Sequence, residues 1–256
     1  MKIVFPEGNN ANIKAAVKLA EKAKLCEAVM LDGTPEALTK AMQMVKDDKA
    51  DAIIAGIDYT SRDVILSARD IIGMRPRFKA FSSVFFMEMS DGRVFALADC
   101  ATCKHPDAAQ LTDIITATVE SAKKVLEDDI RAAVLSFSTL GSGGKDATID
   151  IAREAIANIK AANPDLLIDG EMQLDAAVNP VVGSKKAPDS PVAGRANVLI
   201  CPDLNSGNIL YKSMQQFGGA IAIGPILQGF NRPVSDLSRG ATIDDIYGVI
   251  KAIRSL

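Results

Sequence analysis

Tryptophan is absent from the 256 residues, histidine occurs once, and aromatic residues make up only 5% of the chain. That scarcity leaves leucine, isoleucine, valine and alanine to build the interior. The chain is 48% apolar and long enough for one large α/β domain or two smaller ones. Blocks of lysine and arginine are missing too: 29 basic residues are interspersed with 32 acidic ones, for a net charge of −3. The electrostatic footprint of a nucleic-acid or membrane-surface binder is therefore not there. No apolar run reaches the roughly 18 to 20 residues of a membrane-spanning helix, and "MKIVFPEGNN" carries one lysine and only a short apolar run before Pro6. These absences imply a cytoplasmic protein with no nucleic-acid or membrane partner.

Cysteine is sparse and unevenly placed. Cys100 and Cys103 form "CATCKH" with the single histidine, His105, whereas Cys26 and Cys201 lie inside apolar, strand-like runs. One C-x-x-C is half a zinc site, and no second ligand pair stands nearby, so reduced thiols and no metal are expected. Nucleotide-binding patterns fail as well. "SFSTLGSGGKD", 136 to 146, has Thr139 where a Walker loop needs glycine, and Asp146 after its Lys145.

What the chain does have is rhythm. "KIVF" (2 to 5) precedes an amphipathic stretch through Ile13, Ala16, Val17 and Ala20; "EAVML" (27 to 31) precedes Ala37 to Val45; "DAIIAG" (51 to 56) precedes Val64 to Ile72. Alternation of this kind predicts parallel strands with crossover helices. It is interrupted by "AFSSVFFMEMSDGRVFALADC", in which Ser90-Asp91-Gly92 signals a hairpin. It then resumes with a helix over 108–126, a strand over 132–138, a helix over 147–162, strands over 166–169 and 197–201, a helix over 207–217, a strand over 220–224 and a last helix from Ile243. The proline-broken segment 178–197 predicts a long loop without regular elements.

Polar clusters fall where strands are expected to end, the ligand-binding edge of open α/β sheets. In "SFSTLGSGGKD" the small residues promise free backbone amides, with hydroxyls from Ser138, Thr139 and Ser142. "DLNSGNILYK" (203 to 212) puts Asn205 and Ser206 before a helix and Lys212 a turn inside it. "IDGEMQLDAA" places Asp169, Glu171 and Asp175 near a strand end, a spacing that suggests a solvated or domain-bridging set rather than an acid/base pair. "GPILQGFNRP" (224 to 233) reads as a strand leaving into a turn, and "PVSDLSRGATIDDIYG" surrounds Ser238 and Arg239 with acids ahead of the last helix.

The segments "SFST-x-GS", "DGE-x-Q-x-DAA", "KKAPDSPVAG-x-AN", "NSGN-x-x-YK", "GPILQG-x-N-x-PV" and "DLSRG", in this order and spacing, resemble the phosphotransacetylases and, more broadly, the phosphate acetyl- and butyryltransferases. The likeness runs from about Ala52 to the C-terminus, and "IVFPEG" fits at the start. It implies a two-lobed α/β fold like that of isocitrate dehydrogenase, with mixed sheets and a cleft between the lobes. The first lobe would be 1–80 plus 230–256 and the second 81–229. It also implies a homodimer, coenzyme A as co-substrate with no bound cofactor, and conversion of acetyl phosphate and coenzyme A to acetyl-CoA and phosphate. Carried over by resemblance, the catalytic set is Ser238, Arg239 and Asp245. The phosphate and acyl site adds Ser138, Thr139, Gly141, Ser142 and Gly224, and the coenzyme A site takes Asn205, Ser206, Tyr211, Lys212 and Cys100.

Two departures stand out: the family usually has some dozens more residues between "VMLDG" and "DAIIAG", and Leu66 stands where it usually has an arginine for coenzyme A, with Arg62 and Arg69 a turn to either side. They keep open a wider acyl specificity, or a non-catalytic acyl-CoA-binding module. For the reaction itself, a thiol of pKa about 8.5 costs only ~2 kcal/mol to ionise at pH 7, whereas aligning two reactants is worth ~7 to 11 kcal/mol, so positioning dominates. Arg239 would grip the phosphoryl oxygens and Ser238 the oxyanion or acyl group. Asp245 would be general base, but Thr242-Ile-Asp-Asp245 also fits a capping box, and both readings stay open.

Overall fold

A computed structural model describes all 256 residues. The chain divides into two compact units, one formed by Met1–Phe78 with Ala222–Leu256 and the other by Lys79–Ile221. Both are α/β with mixed strand pairing, the fold class expected.

In the first unit, β1 (Lys2–Phe5), β2 (Glu27–Met30), β3 (Ala52–Ala55) and β10 (Val234–Asp236) are parallel in the order β2-β1-β3-β10, and β9 (Ile221–Gln228) is antiparallel beside β10. All four residues of β3 are buried, as a strand covered on both faces requires. Helix α1 (Ala11–Lys22) buries Ile13, Ala16, Val17 and Ala20, and it packs against α9 (Ile243–Ser255), whose apolar face is Ile246, Val249, Ile250 and Ile253. These residues recur at helical spacing, so one stripe of each helix is committed to the interior. The other helices are α2 (Pro35–Lys46) and α3 (Ser61–Ser67), the latter running into a π-helical turn at Ala68–Ile72.

The second unit holds β4 (Ser82–Glu88), β5 (Val94–Ala98), β6 (Arg131–Leu135), β7 (Leu167–Met172) and β8 (Val198–Ile200) in the order β4-β5-β8-β6-β7. Strands β4 and β5 form the antiparallel hairpin signalled by Ser90-Asp91-Gly92; the remaining pairs are parallel. Helix α4 (Ala108–Val125) follows β5, α5 (Ala147–Ala162) follows β6 and α8 (Leu204–Gln216) follows β8. No helix is long and apolar enough to cross a membrane.

Several boundaries differ from the sequence reading, each for a local reason. The strand expected over 132–138 stops at Leu135, because Ser136 to Ser138 turn into the glycine-rich loop. The strand expected over 166–169 runs on to Met172, carrying Glu171 into the sheet. Helix α8 starts at Leu204, since the Asp203 side chain accepts the backbone N–H of Ser206 at 2.8 Å and caps it there. Strand β9 continues past Gly224 to Gln228, so "GPILQ" is strand and not turn. Within the segment expected to be irregular, Pro180–Lys186 is helix α7: Asn179 accepts from the N–H groups of Val181 and Val182, and Pro180 stands in the first turn, where its missing N–H costs nothing. The short helix α6 (Leu174–Val178) precedes it.

Candidate active site

The Ser238–Arg239 segment belongs to the first unit and leaves the sheet at the end of β10. Its entry is firmly held: Val234 and Asp236 register with Ile53 and Ala55 of β3, the buried Ser235 hydroxyl donates to the Pro225 carbonyl at 2.8 Å, and the Leu237 N–H donates to the Ala55 carbonyl. Its exit is held too. The Ala241 N–H donates to the Ser238 carbonyl at 2.9 Å, and the Asn12 side chain of α1 donates to the Ala241 carbonyl at 3.1 Å. Between these anchors Ser238, Arg239 and Gly240 are exposed. A fixed loop thus offers a hydroxyl and a planar fork of guanidinium donors to whatever anion approaches.

Asp245 lies in the first turn of α9 and makes the capping box. Its Oδ2 accepts from the Thr242 N–H at 2.9 Å and the Thr242 hydroxyl at 2.8 Å, while its own N–H donates to Thr242 Oγ1 at 3.2 Å. The carboxylate is only partly exposed and already has this work to do. Proton transfer, if Asp245 performs it, has to compete with the Thr242 contacts.

In the second unit the glycine-rich turn after β6 is closed on itself. Every backbone N–H from Ser138 to Gly144 is spent inside the protein: on Ser136 Oγ, Ser142 Oγ, the Glu171 carbonyl, Glu171 Oε1, the Thr139 carbonyl, Ser138 Oγ and the Gly141 carbonyl, in chain order. The free amides expected there do not exist. Ser138 is fully buried, and its hydroxyl donates to Glu171 at 2.7 Å while accepting from Gly143 at 2.8 Å, so it braces the turn. Thr139 is held by Gln173, whose N–H donates to its Oγ1 at 3.0 Å. Leu140 sits at φ 46°, in the left-handed region that non-glycine residues rarely adopt, held there by its N–H bond to the Glu171 carbonyl. Ser142 is the exposed hydroxyl of this turn.

Glu171 is the residue that the sequence reading misjudged. Taken there for part of a solvated or domain-bridging set, it is fully buried and receives the Ser138 hydroxyl, the Gly141 N–H at 2.8 Å and the Arg153 guanidinium of α5 at 2.9 Å. Burial pushes its carboxyl up, but the Gly141, Ser138 and Arg153 donors outweigh burial and hold it below the usual carboxylate range. Separations of 18 to 33 residues left no local signal for this network, since spacing rules reach only one or two turns.

The residues assigned to coenzyme A by resemblance lie in the second unit and divide sharply. Asn205 and Lys212 are exposed on α8. Ser206 serves the helix cap, its hydroxyl donating to Asp203 at 2.9 Å. Tyr211 stacks on Phe85 of β4 with ring centroids 4.3 Å apart and carries the Lys212 ammonium 4.9 Å above its ring. Cys100 is fully buried, its thiol donating to the Leu97 carbonyl at 3.6 Å; burial and the neighbouring Cys201 push it well above the usual thiol range, so it is a packed, neutral group and not a ligand contact. Gly207 shows why α8 can lie so close to this segment: a Cβ there would stand 2.0 Å from the Asp99 carbonyl oxygen. Asp99 in turn accepts from the N–H groups of Ser83 and Cys103 at 3.1 and 2.6 Å, tying "SSVFFM" to "ADC". Gly224 is buried within β9, where it can offer only backbone.

Residues 34–253 match the family model described as phosphate acetyl/butaryl transferase. Over 207 residues the chain is 45% identical to a phosphate acetyltransferase of Corynebacterium glutamicum, covering 81% of this chain and 62% of the relative; one from Treponema pallidum is 42% identical over 218 residues, 82% of this chain and 65% of that one. The chain therefore spans less than two thirds of the length of the curated relatives it matches. Among solved structures, a phosphotransacetylase from Streptococcus pyogenes superposes with a TM-score of 0.89 at 36% identity, covering all of this chain and 94% of the other.

Proposed function

Because the chain belongs to the phosphate acetyl/butaryl transferase family, we propose that it moves an acetyl group between acetyl phosphate and coenzyme A. In the direction of acetyl-CoA synthesis the coenzyme A sulfur attacks the acyl carbon and a carbon–sulfur bond forms. The carbon–oxygen bond to phosphate breaks with its electron pair, and phosphate departs. The thiol proton passes to a base, for which Asp245 is the candidate. Both reactants are bound together, no acyl group is held covalently by the enzyme, and coenzyme A enters as co-substrate.

The observation that carries this reading is the exposed Ser238–Arg239 pair on a loop pinned at both ends. A guanidinium matches phosphoryl oxygens in geometry and charge, and holding it still before the substrate arrives avoids reorganisation during the reaction. Ser238 is assigned to the carbonyl oxygen as negative charge develops on it. Of the residues that the resemblance gives to the phosphate and acyl groups, Ser142 is the foremost because its hydroxyl is exposed. Thr139 and Gly141 shape the turn that carries it, the Gly141 N–H being already spent on Glu171, and Gly224 can offer only backbone from β9. Ser138 acts one step back, as brace. Asn205 and Lys212 are assigned to coenzyme A, the ammonium facing its phosphates. A cytoplasmic homodimer completes the reading, supported by family resemblance and tested by light scattering.

Phosphorolysis of acetyl-, propionyl- and butyryl-CoA measured side by side tests the assignment. Acetyl-CoA is expected to turn over fastest. Equal rates would make the protein a broader acyltransferase, and binding of acetyl-CoA without turnover would make it a non-catalytic module.

A further inference from the structure

Three neighbouring parallel strands of the first unit, β1, β3 and β10, end at a pair of buried acids. Glu7 follows β1, is 1% exposed, and accepts from the backbone N–H groups of Gly56, Asp58 and Tyr59 at 3.0, 2.7 and 2.9 Å. Asp236 ends β10, is 3% exposed, and its Oδ1 has no hydrogen-bond partner. Gly56, which follows β3, fits between them only because it lacks a side chain. Its φ is +109°, and a Cβ would stand 2.3 Å from Asp236 Oδ1. On one side β1 pairs with β2 and on the other with β3, so the crossovers leave it in opposite directions at this point. Such reversals are where open α/β sheets concentrate ligand chemistry, outside the carboxyl ends of the strands.

An orphaned carboxylate oxygen in the interior costs stability, because the water it gave up has not been replaced by a donor. Packing alone gives no reason for an acid there. Two residues later come Ser238 and Arg239. We propose that Asp236, opposed by Glu7, positions the loop bearing Ser238 and Arg239, and that the proton on Asp236 tunes how strongly that loop holds a phosphoryl group. This rests on the reading of Arg239 as the phosphoryl-binding residue.

The coupling is direct in chain terms. Leu237, between Asp236 and the exposed pair, is buried and fastened to Ala55, so a change at Asp236 cannot be absorbed by a slack linker. Ionised, Asp236 adds a negative charge three residues ahead of Arg239 in the chain and opposes the incoming anion; protonated, it does not. Burial above all pushes its carboxyl up to about 6, with the Ser61 hydroxyl pulling down and the Glu7 charge pushing further up. Its sheet neighbours β3 and β9 contain no ionisable residue, and α3, which packs against β10, brings Ser61 beside it with Arg62 and Asp63 at the next two positions. Glu7 is itself accompanied by Asp58. The titration therefore falls inside the range where such an enzyme can be assayed.

The sign of the stability effect follows. A carboxyl near 3.9 in the unfolded chain and about 6 in the folded one loses stabilisation as pH rises from the first value through the second, and the full cost of the buried charge is felt above 6. Asp236→Asn should thus raise the urea midpoint most at pH 8.5 and by roughly two thirds as much at pH 5.5, where most of the loss has already been felt.

The test is the KM for acetyl phosphate of the wild type and Asp236→Asn from pH 5.5 to 8.5, with urea midpoints at both ends. Ionisation of the substrate is common to both proteins and cancels in the ratio of their KM values. The ratio of wild type to variant is expected to climb about three- to tenfold through pH 6 and then level off. In Ser61→Ala, an exposed position that keeps the acid and removes its hydroxyl neighbour, the climb in KM should move to higher pH; this variant also serves if Asp236→Asn does not fold. A ratio constant with pH, or a Ser61→Ala profile superimposable on the wild type, overturns the inference, even if the urea midpoints shift as expected, because Asp236 would then be structural only. A wild type that turns over acetyl phosphate while the ratio stays flat removes this inference alone; a wild type with no turnover removes the functional reading and this inference with it.

Discussion

The turn after β6 and the loop after β10 handle their polar groups in opposite ways. In the turn, glycines and hydroxyls are consumed by one another and by the buried Glu171, which collects the Ser138 hydroxyl, the Gly141 N–H and Arg153. In the loop, only the ends are fastened and the middle keeps Ser238 and Arg239 exposed. Two arginines make the contrast plain: Arg153 is locked to a carboxylate inside its own unit, whereas Arg239 faces solvent. Rigidity is common to both segments, but the turn keeps only the Ser142 hydroxyl exposed, whereas the loop keeps a hydroxyl and a guanidinium.

Substitutions can break this contrast, and the largest effect belongs to the loop. Arg239→Gln should lower kcat/KM for acetyl phosphate by about a thousandfold, ~4 kcal/mol, with little change in the urea midpoint. Next comes the brace: Glu171→Ala leaves a buried hydroxyl, a backbone N–H and Arg153 without their acceptor, and should destabilise the protein by ~3 kcal/mol in urea. Because Glu171 is held below its usual range, the stability it contributes is present above the unfolded-state value and lost as pH falls through the folded one. The urea midpoint of wild type should accordingly drop in acid, and that of Glu171→Ala less so.

Asp245→Asn is expected to be milder, losing about 1 kcal/mol or less of cap and dipole stabilisation and under tenfold in kcat. A fall of ~100-fold or more, with an unchanged fold, would instead identify Asp245 as the base. Smallest should be Ser142→Ala, about threefold in KM, since it removes one exposed hydroxyl and the acceptor of the Thr139 N–H but leaves the Ser138–Glu171 pair in place.

Much of this architecture was legible because it is written locally. The β-then-α rhythm, the hairpin at Ser90-Asp91-Gly92, helix α5 and the start of α9 each follow from spacing within a dozen residues. The Thr242–Asp245 capping box was readable for the same reason. What escaped is tertiary. A three-residue strand such as β10 has no period to detect, and it forms because β3 and β9 are there to pair with it. Glu171 looked like a solvated or domain-bridging acid because nothing near it in the chain shows that Ser138, Gly141 and Arg153 converge on it. The same distance hid the spent amides of the turn, and with them the difference in role between two segments of similar composition.

Binding of inorganic phosphate, titrated calorimetrically into the wild type, Arg239→Gln and Ser142→Ala, tests most directly where the anion is held. The loop assignment predicts that Arg239→Gln weakens binding by about tenfold or more while Ser142→Ala stays within about threefold of wild type. Tight binding retained by Arg239→Gln, with loss in Ser142→Ala, would contradict it and place the anion on the turn.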